Sequence, residues 1–90
     1  MPKAEISWRR ETDDGQRIQV YAHHVGREWL FYAREKRYDH WEPVPEPPLA
    51  DWLELLDSVQ RLINRRRFRP EEEDRIKRRI RERFPEASFD

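Results

Sequence analysis

Arginine side chains in the second half of the chain are the strongest candidates for a functional contact. The segment Arg65–Arg69 places four arginines around Phe68, and the basic segment Lys77–Arg79 follows it. Guanidinium groups beside an aromatic ring are suited to phosphate contact and base stacking. The residues predicted for nucleic-acid contact are Arg65, Arg66, Arg67, Arg69, Arg78 and Arg79.

The opposing interpretation of these arginines is a solvated helix surface on which acids neutralise the basic residues. Acid–base pairs one helical turn apart, with the acid first, are Glu71–Arg75, Glu73–Lys77 and Asp74–Arg78. Each pair neutralises a charge that a phosphate would otherwise meet. Because Arg65–Arg69 has fewer acids nearby, we expect it to be the better-exposed part of the patch.

A second candidate surface arises from alternating residues on two predicted strands. Tyr21 and His23 share a face of one strand, and Leu30, Tyr32 and Arg34 share a face of the next. A mixed aromatic and basic sheet face can bind a protein or a single strand of nucleic acid. We favour the alternative, cross-strand aromatic packing, which stabilises a sheet by roughly 0.2–1 kcal/mol per pair. The residues predicted for a binding role on this face are Tyr21, His23, Tyr32 and Arg34.

Metal binding and catalysis have weaker support. The histidine and carboxylate set is His23, His24, Asp39, His40 and Glu42. Adjacent histidines on a strand point to opposite faces, and a structural zinc site without cysteine would be unusual, so we predict no metal and no cofactor. The serines lie outside any glycine-rich elbow, and the two glycines are spaced as turns. We therefore predict that the protein is not an enzyme.

Composition restricts the class of protein. The 90 residues are 42% charged, with 19 basic and 19 acidic side chains, and contain 11 aromatic residues and no cysteine. A single domain with a small core beneath a shell of mixed charge is expected. Zero net charge argues against a strong general attraction to nucleic acid or anionic lipid. We expect a cytoplasmic protein without a membrane segment, because no apolar run suits a signal peptide or a membrane span.

The type of secondary structure predicted to position these residues changes from strand to helix at a proline-rich connector, 43–48. Before it, apolar residues alternate, which predicts a β-meander over 5–42 with strands at 5–12, 16–24 and 28–37. Turns are predicted at Asp13–Gly15 and Val25–Arg27. The third strand is apolar on both faces, so it could lie in the middle of the sheet. Residues 38–42 form either a short fourth strand or an irregular crossing.

After the connector, apolar residues recur every three or four positions and predict two helices. Helix 1 is expected at 49–67, helix 2 at 70–84, and a flexible tail at 85–90. The fold class is therefore α+β: a three-stranded, or four-stranded, antiparallel sheet followed by an antiparallel two-helix hairpin packed on one face. The predicted core comprises Ile6, Trp8, Ile18, Val20, Trp29, Phe31, Trp52, Leu53, Leu56, Val59, Ile63, Ile76 and Ile80.

The sequence resembles no family whose function could be transferred. The leading hypothesis is a non-catalytic interaction module whose partner is another protein or a second copy of the chain. The first alternative is an accessory nucleic-acid-binding protein that uses the arginine-rich hairpin. The second alternative is an enzyme without a recognisable motif.

Overall fold

A computed structural model describes residues 5–26, 28–35, 39–66 and 68–87. Contacts divide the chain into two units, Met1–Pro47 and Pro48–Asp90, with the boundary inside the predicted connector. The described residues form a four-stranded antiparallel sheet in the first unit and two helices in the second. The α+β class is confirmed, including the fourth strand. That the units make a single domain, and that the helices cover one sheet face, stay predictions.

The first two strands, β1 (Glu5–Glu11) and β2 (Arg17–Val25), form a hairpin around a turn that its own side chains hold. The Thr12 hydroxyl donates to the Asp14 carboxylate at 2.6 Å, which lowers the pKa of Asp14. The Gln16 amide donates to the Thr12 hydroxyl at 3.1 Å. Gly15 has φ +86°, a conformation that glycine adopts without strain, as the turn signal predicted.

The third strand lies inside the sheet. The strand order is β1-β2-β3-β4, where β3 spans Glu28–Arg34 and β4 spans only Glu42–Pro43. The Val44 amide extends the pairing by donating to the Phe31 carbonyl at 2.8 Å. β3 therefore has a neighbour on each side, which agrees with apolar residues on both of its faces. It ends before the predicted residue 37, and residues 36–38 lie outside the described residues.

One face of the sheet, here called the inner face, carries the core of the first unit. Its buried residues are Ile6, Val20, Ala22, Trp29 and Phe31. The register aligns them, since Ile6 lies opposite Ala22, and Ala22 lies opposite Phe31. Trp8, half-buried, meets Phe31 edge to face at 6.2 Å between ring centroids. Ile18 was predicted as core and is likewise only half-buried.

The second unit consists of α1 (Leu49–Asn64) and α2 (Pro70–Arg83). Its buried apolar residues are Trp52, Leu55, Leu56, Val59, Ile76 and Ile80. The prediction of Leu53 as core was wrong, because its side chain is 36% exposed. At 3.6 residues per turn, Leu53 lies about 110° from the centre of the buried stripe, whereas Leu55 lies within it. Ile63, in the last turn of α1, is half-buried.

Helices α1 and α2 are joined by a short link in which Arg66 adopts φ +61°. Gln60, near the end of α1, donates to Glu73, near the start of α2, at 2.9 Å. Lys77 lies 3.1 Å from the same carboxylate. The hydrogen bonds from Gln60 and Lys77 lower the pKa of Glu73 and link the helices side by side. Neither helix, within the part of the chain that the structure describes, is long and apolar enough to cross a membrane.

Candidate functional site

The face opposite the inner face, here called the outer face, brings together side chains from all four strands. The register places Tyr21 of β2 opposite Tyr32 of β3, and Ser7 of β1 lies on the other side of Tyr21. The two tyrosine rings stack with centroids 4.9 Å apart and planes at 16°. Partial burial, then Tyr32 and Glu5, raise the pKa of Tyr21. The outer face thus has a half-buried aromatic centre of stacked rings.

Trp41 completes this aromatic centre, although the sequence analysis did not include it. Its ring meets Tyr21 edge to face at 4.7 Å between centroids. The Arg34 guanidinium lies 4.2 Å from the centroid of Trp41, in cation–π contact, and its Nε donates to Gln19 Oε1 at 2.7 Å. Extending the β3–β4 register by one pair places Trp41 beside Arg34. The outer cluster is defined as Tyr21, Tyr32, Trp41, Arg34 and Gln19.

His23, also predicted for this face, lies beside the outer cluster and one pair further along the sheet. It is opposite Leu30 on β3 and Glu5 on β1, and its Nδ1 lies 3.6 Å from the Glu5 carboxylate. Leu30 is 43% exposed, and Val25, two residues after His23, is 47% exposed. The outer face therefore has two ends. One carries the aromatic rings and the guanidinium of the outer cluster, and the other carries the exposed aliphatic side chains of Leu30 and Val25.

Shallow depressions adjoin the outer cluster. One of about 380 Å³ is lined by Ser7, Trp8, Arg9, Gln19, Arg34 and Trp41. Another of about 360 Å³ is lined by Glu5, Ser7, Tyr21 and Trp41. A protruding side chain of a binding partner could enter depressions of this kind.

The metal set considered from the sequence has no corresponding cluster. Asp39, His40 and Glu42 share the lining of a depression of about 630 Å³ with Ile18 and Ala33. Across residues 5–26, 28–35, 39–66 and 68–87, no group of three or more histidine or carboxylate side chains could hold a metal ion. His24 stacks instead on Trp29, with ring centroids 4.6 Å apart.

The arginines predicted for nucleic-acid contact fall into two groups. Arg65, Arg66 and Arg69 are exposed on the link between the helices, and Arg67 lies outside the described residues. Arg78 and Arg79 lie about 12 Å or more further along the axis of α2, at 1.5 Å per residue. Arg78 is exposed, whereas Arg79 is half-buried and lies 3.7 Å from Glu82.

Ion pairs neutralise some of the neighbouring charge in the second unit, as the opposing interpretation predicted. The Glu73–Lys77 pair forms as spaced. Arg75 pairs at 2.6 Å with Glu72, which is three residues earlier and buried. On α1, Arg61 pairs with Asp57 at 2.8 Å. The link arginines are therefore the better-exposed part of the basic surface.

Comparisons with known proteins add no functional assignment. No protein-family model matches the chain, and no curated protein or solved structure matches it.

Proposed function

We propose that the protein is a non-catalytic interaction module that binds another protein through its outer face. The observation that carries the proposal is the outer cluster, a half-buried group of aromatic rings and a guanidinium that lies on the same face as the exposed Leu30 and Val25. Tyrosine, tryptophan and arginine are the side chains that dominate the energetics of protein interfaces. A cytoplasmic location stays a prediction.

The geometry of the cluster supports binding because its side chains are already held in place. Tyr21 is fixed between Tyr32 and Trp41, and Arg34 is fixed between Trp41 and Gln19. A partner would therefore immobilise few additional rotamers on contact, which lowers the entropic cost of association. The packing favoured from the sequence and the proposed binding role are compatible, since packing orients the rings that a partner would meet.

The charge of the outer face favours a protein partner over a nucleic acid. Glu5 and Glu28 lie on the same face as Arg9 and Arg34, and the chain as a whole has zero net charge. A backbone of phosphates would meet the two carboxylates at the aliphatic end of the face. Exposed Leu30 and Val25 there match the apolar centre of a protein interface instead.

A photocrosslinking experiment tests this proposal. A benzophenone amino acid at Leu30 of the full chain should give a discrete protein adduct in an extract of the source cells. Leu53, which is 36% exposed on α1, is the matched control position. Excess unlabelled protein should compete the adduct away, whereas the double variant Leu30→Asp, Tyr32→Ala should not. The same adduct from position 53, or equal competition by the double variant, would refute the proposal.

A second candidate function is nucleic-acid binding by the helical hairpin. The exposure of Arg65, Arg66 and Arg69 on one short link favours it, because clustered guanidinium groups contact phosphates. Zero net charge and the ion pairs on both helices weigh against it.

Fluorescence anisotropy with labelled single-stranded and duplex oligonucleotides checks this second candidate. If the link binds phosphates, changing Arg65, Arg66 and Arg69 to Gln should reduce the slope of log K against log salt by about 2–3. Arg61→Gln is the control, since Arg61 is already paired with Asp57. Absence of any complex at low salt would eliminate this candidate and leave the outer-face proposal unaffected.

A further inference from the structure

Strand β1 forms an edge of the sheet. Within the described residues, β2 is the strand that pairs with β1, in continuous register from Glu5 opposite His23 to Glu11 opposite Arg17. A seven-residue edge presents backbone donors and acceptors that another extended segment could pair with.

Hydrogen bonds identify which residues direct their backbone groups to this edge. The Thr12 amide donates to the Gln16 carbonyl at 2.8 Å, so Thr12 points toward β2. Successive residues of an antiparallel strand alternate in direction, so Ile6, Trp8 and Arg10 also point toward β2. The N–H and C=O groups of the remaining residues point away from β2, and these residues are Glu5, Ser7, Arg9 and Glu11.

A second hydrogen bond, on the other side of the sheet, supports this assignment. The Val44 amide donates to the Phe31 carbonyl, so Phe31 points away from β2. Its partner Ala22 must then point away from β3 and toward β1, where it lies opposite Ile6. Both ends of the sheet therefore give the same alternation for β1.

We propose that a second copy of this chain pairs with β1 in antiparallel orientation, with the two-fold axis at Ser7. This arrangement places Glu5 of each copy opposite Arg9 of the other, and Ser7 opposite Ser7. All three residue pairs have edge-directed backbone groups, so they can exchange about six hydrogen bonds. The interface uses β1, which contributes no residue to the outer cluster, although Glu5, Ser7 and Arg9 line the depressions beside that cluster.

Charge favours this register over the one with its axis at Trp8. Residues directly opposite each other in a sheet share a face, so a two-fold axis normal to the sheet must lie at a residue. An axis at Trp8 would place Glu5 opposite Glu11, a like-charge pair that destabilises a sheet. An axis at Ser7 gives two attractive Glu5–Arg9 pairs instead.

The inner face is compatible with the same register. Ile6 of one copy would lie opposite Trp8 of the other, in the closer, non-hydrogen-bonded type of pair. Trp8 is half-buried, and an apolar neighbour would remove more of its ring from water. The pairing would therefore add apolar contacts on one face and ion pairs on the other.

A charge exchange between Glu5 and Arg9 tests the pairing by sedimentation equilibrium of the full chain. Wild-type protein should form a concentration-dependent dimer. Glu5→Arg and Arg9→Glu should each weaken it about tenfold or more, because two attractive pairs become repulsive. The double variant should restore wild-type association, and circular dichroism should confirm that all three variants remain folded.

Cysteine crosslinking tests the position of the axis, since the chain has no cysteine of its own. Ser7→Cys should form a disulfide-linked dimer rapidly, because an axis at Ser7 brings the two Cα atoms to about 5.5 Å. Glu11→Cys, on the same strand and face, should not, because its copies would be about 27 Å apart along the strands.

Each result decides the proposal. A protein that stays monomeric at every concentration, single reversals without effect, or a double variant that stays dissociated would overturn it. Faster crosslinking at Glu11 than at Ser7 would overturn it too. Leu30→Asp, which should abolish binding through the outer face, should leave this dimer intact, so the two proposals fail separately.

Discussion

Leu55→Ala is expected to lower the free energy of unfolding by about 2–5 kcal/mol, whereas Leu53→Ala should change it by less than about 1 kcal/mol. The two leucines lie two residues apart on α1, but Leu55 is fully buried and Leu53 is 36% exposed. Truncation at Leu55 leaves a cavity beside Trp52 and Val59 on the buried stripe, in addition to the lost burial of the side chain. For a domain of this size, that corresponds to a lower Tm by about 10 °C or more.

Urea denaturation followed by circular dichroism measures the difference between the two leucine variants. The slope of unfolding free energy against urea should stay unchanged in both, so that the midpoint reports stability alone. Equal effects at the two positions would mean that the buried stripe of α1 is centred elsewhere. A larger effect at Leu53 would restore the core predicted from periodicity.

The residues that share a face within each strand could be predicted from sequence, because period-two alternation leaves little freedom. Ile6 and Trp8, Val20 and Ala22, and Phe31 fall on one face, because a shift of one residue would move every apolar side chain to the other face. Gly15 marked the first hairpin because the turn needs a positive φ there. Local patterns therefore determined which residues of a strand share a face, the position of the first turn and the starts of β1 and β3, but not the strand order or the register.

The core of α1 could not be resolved in the same way. Its apolar residues cover about half the helix circumference, so periodicity alone does not identify the centre of the stripe. Burial of Leu55 and Asp51, with exposure of Leu53, depends on tertiary contacts that the pattern does not encode. A fully buried aspartate is especially hard to anticipate, since charged residues are rarely buried without specific interactions.

Only some residues of the outer cluster could be predicted, because the pattern depends on the length of the strand that carries each residue. Tyr21, Tyr32 and Arg34 follow from alternation on two regular strands. Trp41 does not, because β4 has only two residues and alternation cannot be seen in so short a strand. The pairing of Glu42 with Ala33 and the cation–π contact, neither of which a sequence pattern encodes, show that Trp41 lies beside Arg34. Site residues beside very short edge strands are therefore the ones that sequence patterns fail to predict.

Phe31→Ala is expected to lower the free energy of unfolding by about 3–5 kcal/mol, a large share of the roughly 5–15 kcal/mol typical of a domain. Phe31 is 3% exposed, lies on an inner strand, and contacts Trp8 edge to face. Leu30→Ala, one residue earlier, should cost less than about 1 kcal/mol, because its side chain is 43% exposed on the outer face.

Denaturation of these two variants, combined with the crosslinking competition, separates folding from binding. Leu30→Ala protein should unfold at nearly the wild-type urea concentration but compete poorly for the adduct formed at position 30. Phe31→Ala protein should unfold earlier, yet compete normally under conditions where it stays folded, since the outer face is unchanged. If Leu30→Ala destabilises the protein as much as Phe31→Ala, then Leu30 is part of the core. That result would contradict the proposal that the outer face is a binding surface.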